Sequence, residues 1–462
     1  MVQIFEMGRG AVVIGIREVI GCLGIALSVL LGGCGKKPGD AAEVVSWAFV
    51  DGGTEYGLNY DSNYDVFAPQ LGAVQDRLYL IWREFNGVSM QVRAAVYHDD
   101  DAKPVWTFID GAGDAGLNYD PRNHAFDPQL AAFQSKLYAT WYEALPGADG
   151  RLLGATQIRV AEFNGDEKNP RWRFIDGGAA QGLNRDSVAS AAYPQLMAFN
   201  KKLYLIWEEY NGIATQIRVA VYAGDDQSPP WRFVDGGGVP GLNLNPMANA
   251  GEAHMTVYDG RLYAAWRETA HEADQIRVAV YNGNDDKPAW RLVDGGQHVG
   301  LNIDPRQPAF TPQLGVFDGK LFICWQENGP EALQVRVAVY TGDDSQPVWM
   351  PVDGGGSAGL NHDPARIAYA PHMAAYGKRL YVSWFESNGA YTQVRIRAFT
   401  DEDGAPLWRF VDGGENEGIN QNQQANAFDP HLAVHRNKLY ATWRELNSKG
   451  RQQLHVAVAK TQ

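Results

Sequence analysis

Residues 290–348 open on W-R-L-V-D-G-G and close on V-A-V-Y-T-G-D-D-S-Q-P-V, and between them lie P-Q-L-G-V-F (312–317), L-F-I-C-W-Q-E (321–327) and Q-V-R-V-A-V-Y (334–340). Short runs rich in Val, Ile, Phe, Tyr and Trp, bounded by Gly, Asn, Asp and Pro, read as β-strands. No window sustains a 3.6-residue apolar period over three turns, so helices are not expected. We name the runs by position in the unit: a (P-Q-L), b (L-x-x-x-W-x-E), c (Q-V-R) and d (W-x-L-V-D). The a–b link is a tight turn at Asp318-Gly319, and the order a, b, c, d describes a four-stranded antiparallel meander.

The rest of the chain is this unit again, which has to be read before anything else. The first Trp of each copy is Trp47, Trp106, Trp172, Trp231, Trp290, Trp349 or Trp408, and the second is Trp82, Trp141, Trp207, Trp266, Trp325, Trp384 or Trp443; together they are all 14 tryptophans. The first-Trp spacing is 59 residues except for 66 between Trp106 and Trp172, while first-to-second spacing is 35 throughout. Seven extra residues therefore follow Trp141.

More than 400 residues without a linker exceed what one ordinary core supports, whereas a repeat array grows unit by unit. Four-stranded units repeated radially form a β-propeller. An open solenoid would need distinct capping repeats, and none is visible. The ends favour a ring: residues 47–51 are a lone d strand, and residues 430–460 supply a, b and c without d. The reading is an all-β, seven-bladed propeller over residues 46–462, its last blade completed by the N-terminal strand. This resembles the closure of WD-repeat propellers, although the G-H…W-D signature is absent. The repeat also resembles those of uncharacterised secreted bacterial proteins, a likeness that implies no function.

Ahead of the propeller, an apolar run from Ile20 to Leu31 ends in L-G-G-C, with Cys34 last. This resembles the lipobox of bacterial lipoprotein signal peptides. The resemblance implies a cleaved leader (1–33), a lipid on Cys34, a flexible linker (34–45) and a body held at the membrane outside the cytoplasm, in the cell envelope. An uncleaved N-terminal anchor is the alternative. Of three cysteines, Cys22 lies in the leader and Cys324 in an apolar strand, where a buried, unreactive thiol is expected. The 54 acidic and 40 basic residues give a net charge of −14 with no basic stripe, which argues against nucleic-acid binding. A monomer is expected.

In a propeller the d–a and b–c loops share one face, here the one with long loops, called upper. Glu84, Glu143, Glu209, Glu268, Glu327, Glu386 and Glu445 follow the second Trp, and Arg93, Arg159, Arg218, Arg277, Arg336, Arg395 and His455 lie on strand c. A residue repeated in every unit usually serves the unit, so cross-strand Trp–Arg contacts and Glu–Arg pairs are expected. The same holds for the seven V-D-G and I-D-G aspartates and the seven G-L-N or G-I-N asparagines. Calcium is an alternative reading of these oxygen-rich loops, but no D-x-D-x-D-G loop is present.

One position varies. Strand a carries Gln70, Gln129, Gln195 and Gln313 in four copies and His254, His372 and His431 in three, which places a ring of Gln and His at the upper mouth of the central channel. The fourth copy departs most and adds Glu252. Two readings follow. In the first, His254, His372 and His431, with Gln313 and Glu252, form a divalent-metal or acid–base site. Some seven-bladed polysaccharide lyases use a His/Gln metal cluster at this place, an analogy of fold. In the second, Gln and His are interchangeable polar plugs that bond backbone. Phosphate loops, H-E-x-x-H, G-x-S-x-G and the S-x-D-x-G-x-T-W box of sialidase propellers are absent. The expected role is binding a carbohydrate or protein partner through the upper face, with an enzyme acting on polysaccharide (lyase or hydrolase) as the alternative.

Overall fold

The computed structural model describes residues 44–461, except 112, 147–151, 179–180, 226, 228–229, 237, 239, 271–272, 297–298, 355, 357, 403–404 and 415–416. The expected leader, Cys34 and most of the linker lie outside the described residues.

The described residues form seven four-stranded antiparallel sheets. Six take their strands in chain order. The seventh has the order first strand, last strand, then the two before it, so the strand Val44–Phe49 is the outer edge of the final blade. Trp47, Ala48 and Phe49 pair with Ala459, Val458 and Ala457, and Val50 N–H donates to Val456 O at 2.9 Å. The ring closes as the orphan strands at the two ends of the repeat array imply.

The first tryptophan of each unit links the blades. The indole N–H of Trp106 donates to Val50 O, that of Trp172 to Ile109 O, and so on round to Trp408 with Val352 O and Trp47 with Val411 O, all at 2.7–2.9 Å. Each bond runs from an outer strand to the chain just past the outer strand of the preceding blade. The seven links make one circuit.

The second tryptophans are fully buried between blades. Trp82 faces Arg93 across the b–c pair, as read from the sequence. The expected Glu–Arg pair is corrected in most of its detail. Glu84 is in register with Gln91, not Arg93. Its carboxylate accepts the Trp82 indole N–H at 2.8 Å and the backbone N–H groups of Tyr60 and Asp61 in the d–a loop at 2.9 and 2.7 Å. The arginine pairs instead with the V-D-G or I-D-G aspartate on the far side of strand c: Arg159 with Asp176, Arg277 with Asp294 and Arg395 with Asp412 lie 2.7–3.4 Å apart and almost wholly buried. In the seventh blade His455 meets Asp51 at 2.8 Å. Glu143 does reach its arginine, Arg159, at 3.1 Å.

The asparagines staple each d–a loop to the blade before it. Asn118 accepts from Val92 N–H and donates to Met90 O and Asn123 O, at 2.8–2.9 Å. The preceding glycine lets the loop lie this close: a Cβ at Gly116 would sit 2.5 Å from Val92 O, and the six equivalent glycines are as tight. These asparagine oxygens hold the loop to the preceding blade. The seven-residue insertion lengthens one b–c hairpin, whose arms are Lys136–Pro146 and Leu152–Phe163. Cys324 is fully buried, and burial pushes its thiol far above the usual range.

Candidate functional site

Gln70, Gln129, Gln195, His254, Gln313, His372 and His431 do converge, lining one axial cavity of about 320 Å³ with Leu71, Leu130 and Met197 among its lower walls. Their hydrogen bonds show what they do there. Gln195 Oε1 accepts from Met255 N–H in the next blade at 2.5 Å. His254 Nδ1 accepts from Leu314 N–H at 3.2 Å, His372 Nδ1 from Leu432 N–H at 3.2 Å and His431 Nδ1 from Leu71 N–H at 3.4 Å. Gln195 and the three histidines thus do one job, each tying its inner strand to the next.

An imidazole accepting at Nδ1 carries its proton on Nε2 when neutral. Burial holds His254 down at about 4 and His431 at about 3, and holds His372 well below its usual value with help from His431. The rings of His372 and His431 are 3.7 Å apart, and both must stay neutral. Among the described residues no group of three or more His, Cys, Asp or Glu is placed to hold a metal ion. The geometry therefore gives the metal reading of His254, His372 and His431 no support, because each Nδ1 already serves a backbone amide. The ring is a plug beneath the mouth.

The mouth is built one layer above it. Strand a bulges in every blade, two residues before the plug. The bulged residues Ala68, Asp127, Tyr193, Glu252, Thr311, Ala370 and Asp429 all have φ of 44–56°. Non-glycine residues in this region cost roughly 1–3 kcal/mol each and cluster where a side chain is re-aimed. Beside them, strand b contributes the residue between Trp and Glu: Arg83, Tyr142, Glu208, Arg267, Gln326, Phe385 and Arg444. These two rings are the variable layer of an otherwise regular molecule.

The layer is chemically lopsided. On the side of the third and fourth blades Glu208 accepts the Glu252 backbone N–H at 3.2 Å. Glu252 in turn accepts from Thr311 N–H at 2.6 Å and pairs with Arg267 at 3.2 Å. Gly251 makes this possible: a Cβ there would lie 2.1 Å from Glu208 Oε2, where other blades have Phe67, Phe126, Ala192, Phe310, Tyr369 and Phe428. Burial pushes the Glu208 carboxyl up to about 7, opposed by the Glu252 amide and Arg267 and assisted by the charges of Glu252 and Asp127. Asp127 is also raised by burial, against Arg83 and a hydrogen bond from the Tyr142 hydroxyl.

Elsewhere the wall is aromatic. Phe126 stacks on Tyr142 at 5.1 Å, Tyr369 on Phe385 at 5.4 Å, and Phe385 meets Phe428 edge-on. Between the fifth and sixth blades a groove of about 510 Å³, lined by Phe310, Gln326, Glu331, Ile367 and Tyr369, adjoins the mouth. Of the expected site residues, only Glu252 belongs to this layer. The missed residues had a signal: in W-x-E the central residue changes from copy to copy while its neighbours hold.

No family model matches the chain, and no curated protein matches it. Among solved structures, the polysaccharide lyase Uly1 aligns with a TM-score of 0.52 at 11% identity over 85% of this chain and 89% of its own. A protein of unknown function from Dyadobacter fermentans aligns with a TM-score of 0.45 at 11% identity over 92% of this chain and all of its own. The GH93 α-L-arabinofuranosidase of Fusarium graminearum, solved with arabinobiose, gives 0.45 at 13% identity over 76% of this chain and 97% of its own. At such identities the likeness is one of fold: this chain is a seven-bladed β-propeller.

Proposed function

We propose that the protein binds a carbohydrate at the upper mouth, as a lipoprotein tethered through Cys34 on the outer side of a bacterial membrane. The carrying observation is the variable layer itself. Aromatic faces, carboxylates and arginines meet in a half-buried ring and groove, while everything around them repeats. Aromatic rings stack on the apolar faces of sugar rings, and paired carboxylates accept from their hydroxyls. That Uly1, described as a polysaccharide lyase, has this fold is consistent with the reading. A glycan array probed with the full chain tests it: selective binding, lost on Tyr369→Ala plus Phe385→Ala, is expected, and binding to protein partners alone would overturn it. Labelling of Cys34 by lipid, abolished in Cys34→Ala with release from membranes, tests the tether.

One observation favours a second reading, an enzyme acting on polysaccharide. Glu208 accepts the Glu252 amide next to the Glu252–Arg267 pair, and burial pushes its carboxyl up to about 7, a setting suited to a general acid. Turnover of a bound glycan that falls as pH rises through about 7, abolished in Glu208→Gln with binding intact, is the outcome that would establish it.

A further inference from the structure

Three arginines line the mouth, and two are already neutralised. Arg444 Nε lies 2.6 Å from Asp429 Oδ2, and Arg267 lies 3.2 Å from Glu252 and 3.1 Å from Asp274. Arg83 is different. Its guanidinium carbon sits 5.1 Å from the Phe67 ring centre and 5.0 Å from that of Phe126. Its Nε is buried with no hydrogen-bond partner, and no ion pair neutralises it among the described residues. Two phenyl faces hold a cation in place without using any of its N–H donors. Buried donors are normally satisfied, so a guanidinium pinned this way has capacity left for a ligand. Asp127 forms no ion pair with Arg83 among the described residues; burial raises its carboxyl, opposed first by the Arg83 charge and then by the Tyr142 hydroxyl.

We infer that Arg83 anchors the oxyanion of an acidic sugar, a carboxylate or a sulfate ester, so that the glycan taken by the mouth is anionic. This rests on the mouth being a carbohydrate site. A guanidinium offers parallel N–H donors that match two oxygens of such a group, a geometry lysine lacks. The rings that hold Arg83 would then flank the sugar. The overall charge of −14 opposes long-range attraction of an anion, so the preference must be local and must depend on this side chain.

The test uses the full chain on an array of carboxylated, sulfated and neutral glycans, followed by calorimetry on the best binder. Binders are expected to carry an oxyanion, with Arg83→Gln weakening the best of them about 10- to 100-fold and Arg83→Lys recovering part. Carboxyl-reduced and desulfated preparations of that same glycan identify which oxyanion is read, and do so on the unaltered protein should Arg83→Gln fail to fold. A neutral glycan as best binder, or less than a twofold loss in a folded Arg83→Gln, overturns the inference while leaving carbohydrate binding in place. No glycan binding at all overturns both.

Discussion

Two neighbouring side chains on strand b of every blade behave differently. Glu84 and its equivalents are buried against an indole and hold a loop by its amides. The residue just before each points to the opposite face of the strand and takes five identities in seven copies: Arg83, Tyr142, Glu208, Arg267, Gln326, Phe385 and Arg444. Regularity belongs to the frame, because every blade must pack on the next in the same way. Variation collects where packing makes no demand, at the mouth.

The comparison breaks first if the frame is not the source of stability. Removing residues 44–50 leaves the seventh blade with an open edge and breaks the circuit at Trp47; the single cooperative unfolding transition, followed by circular dichroism on heating, is expected to be lost. Asp294→Ala leaves Arg277 buried and unpaired, which should cost about 3–5 kcal/mol in denaturant unfolding. A cost below about 1 kcal/mol would mean the repeated pairs do not carry the frame.

The plug gives a subtler test, since glutamine already stands at four of its seven positions. His431 has a lowered folded pKa, about 3 against the ordinary 6.5, so the folded state binds fewer protons than the unfolded one between those values. Its neutrality costs nothing above about pH 6.5, and stability falls as pH drops from there towards 3. His431→Gln should therefore match the parent at pH 8 and exceed it by about 1–3 kcal/mol near pH 4. Equal acid sensitivity of the two would show that the imidazole is not the group that titrates.

Smallest is the effect of Glu208→Gln. Here the folded pKa is raised, from the ordinary 4.5 to about 7. The penalty for a buried charge is absent below about pH 4.5, grows as pH rises through that window and is complete above 7. The variant should gain about 1 kcal/mol or less over the parent at pH 8 and nothing at pH 4, while ligand affinity or turnover changes far more. A large loss of stability would place Glu208 with the frame instead.

Much of the frame was legible because a repeat states its requirements seven times. Strand order, ring closure and the buried cysteine followed from spacing and alternation. The partner of each arginine did not: Glu and Asp are both in reach on paper, and the choice depends on a two-residue offset in register. The mouth was harder still. Gln70 and its ring were found because they vary, but Gln195 makes the same bond as the three histidines. Asp127, Tyr142, Tyr193 and Glu208 vary in chemistry, yet what brings them together is a bulge with left-handed backbone at residues such as Asp127 and Glu252, and no composition or period announces it.

The closing strand has a consequence for how the molecule is made. Trp47 pairs with Ala459, so an edge that leaves the ribosome early waits about 410 residues for its mate. Until then Val44–Phe49 is a bare, largely apolar strand, the sort of template on which polypeptides aggregate. Successful folding must therefore depend on keeping that segment from pairing elsewhere until the final hairpin arrives.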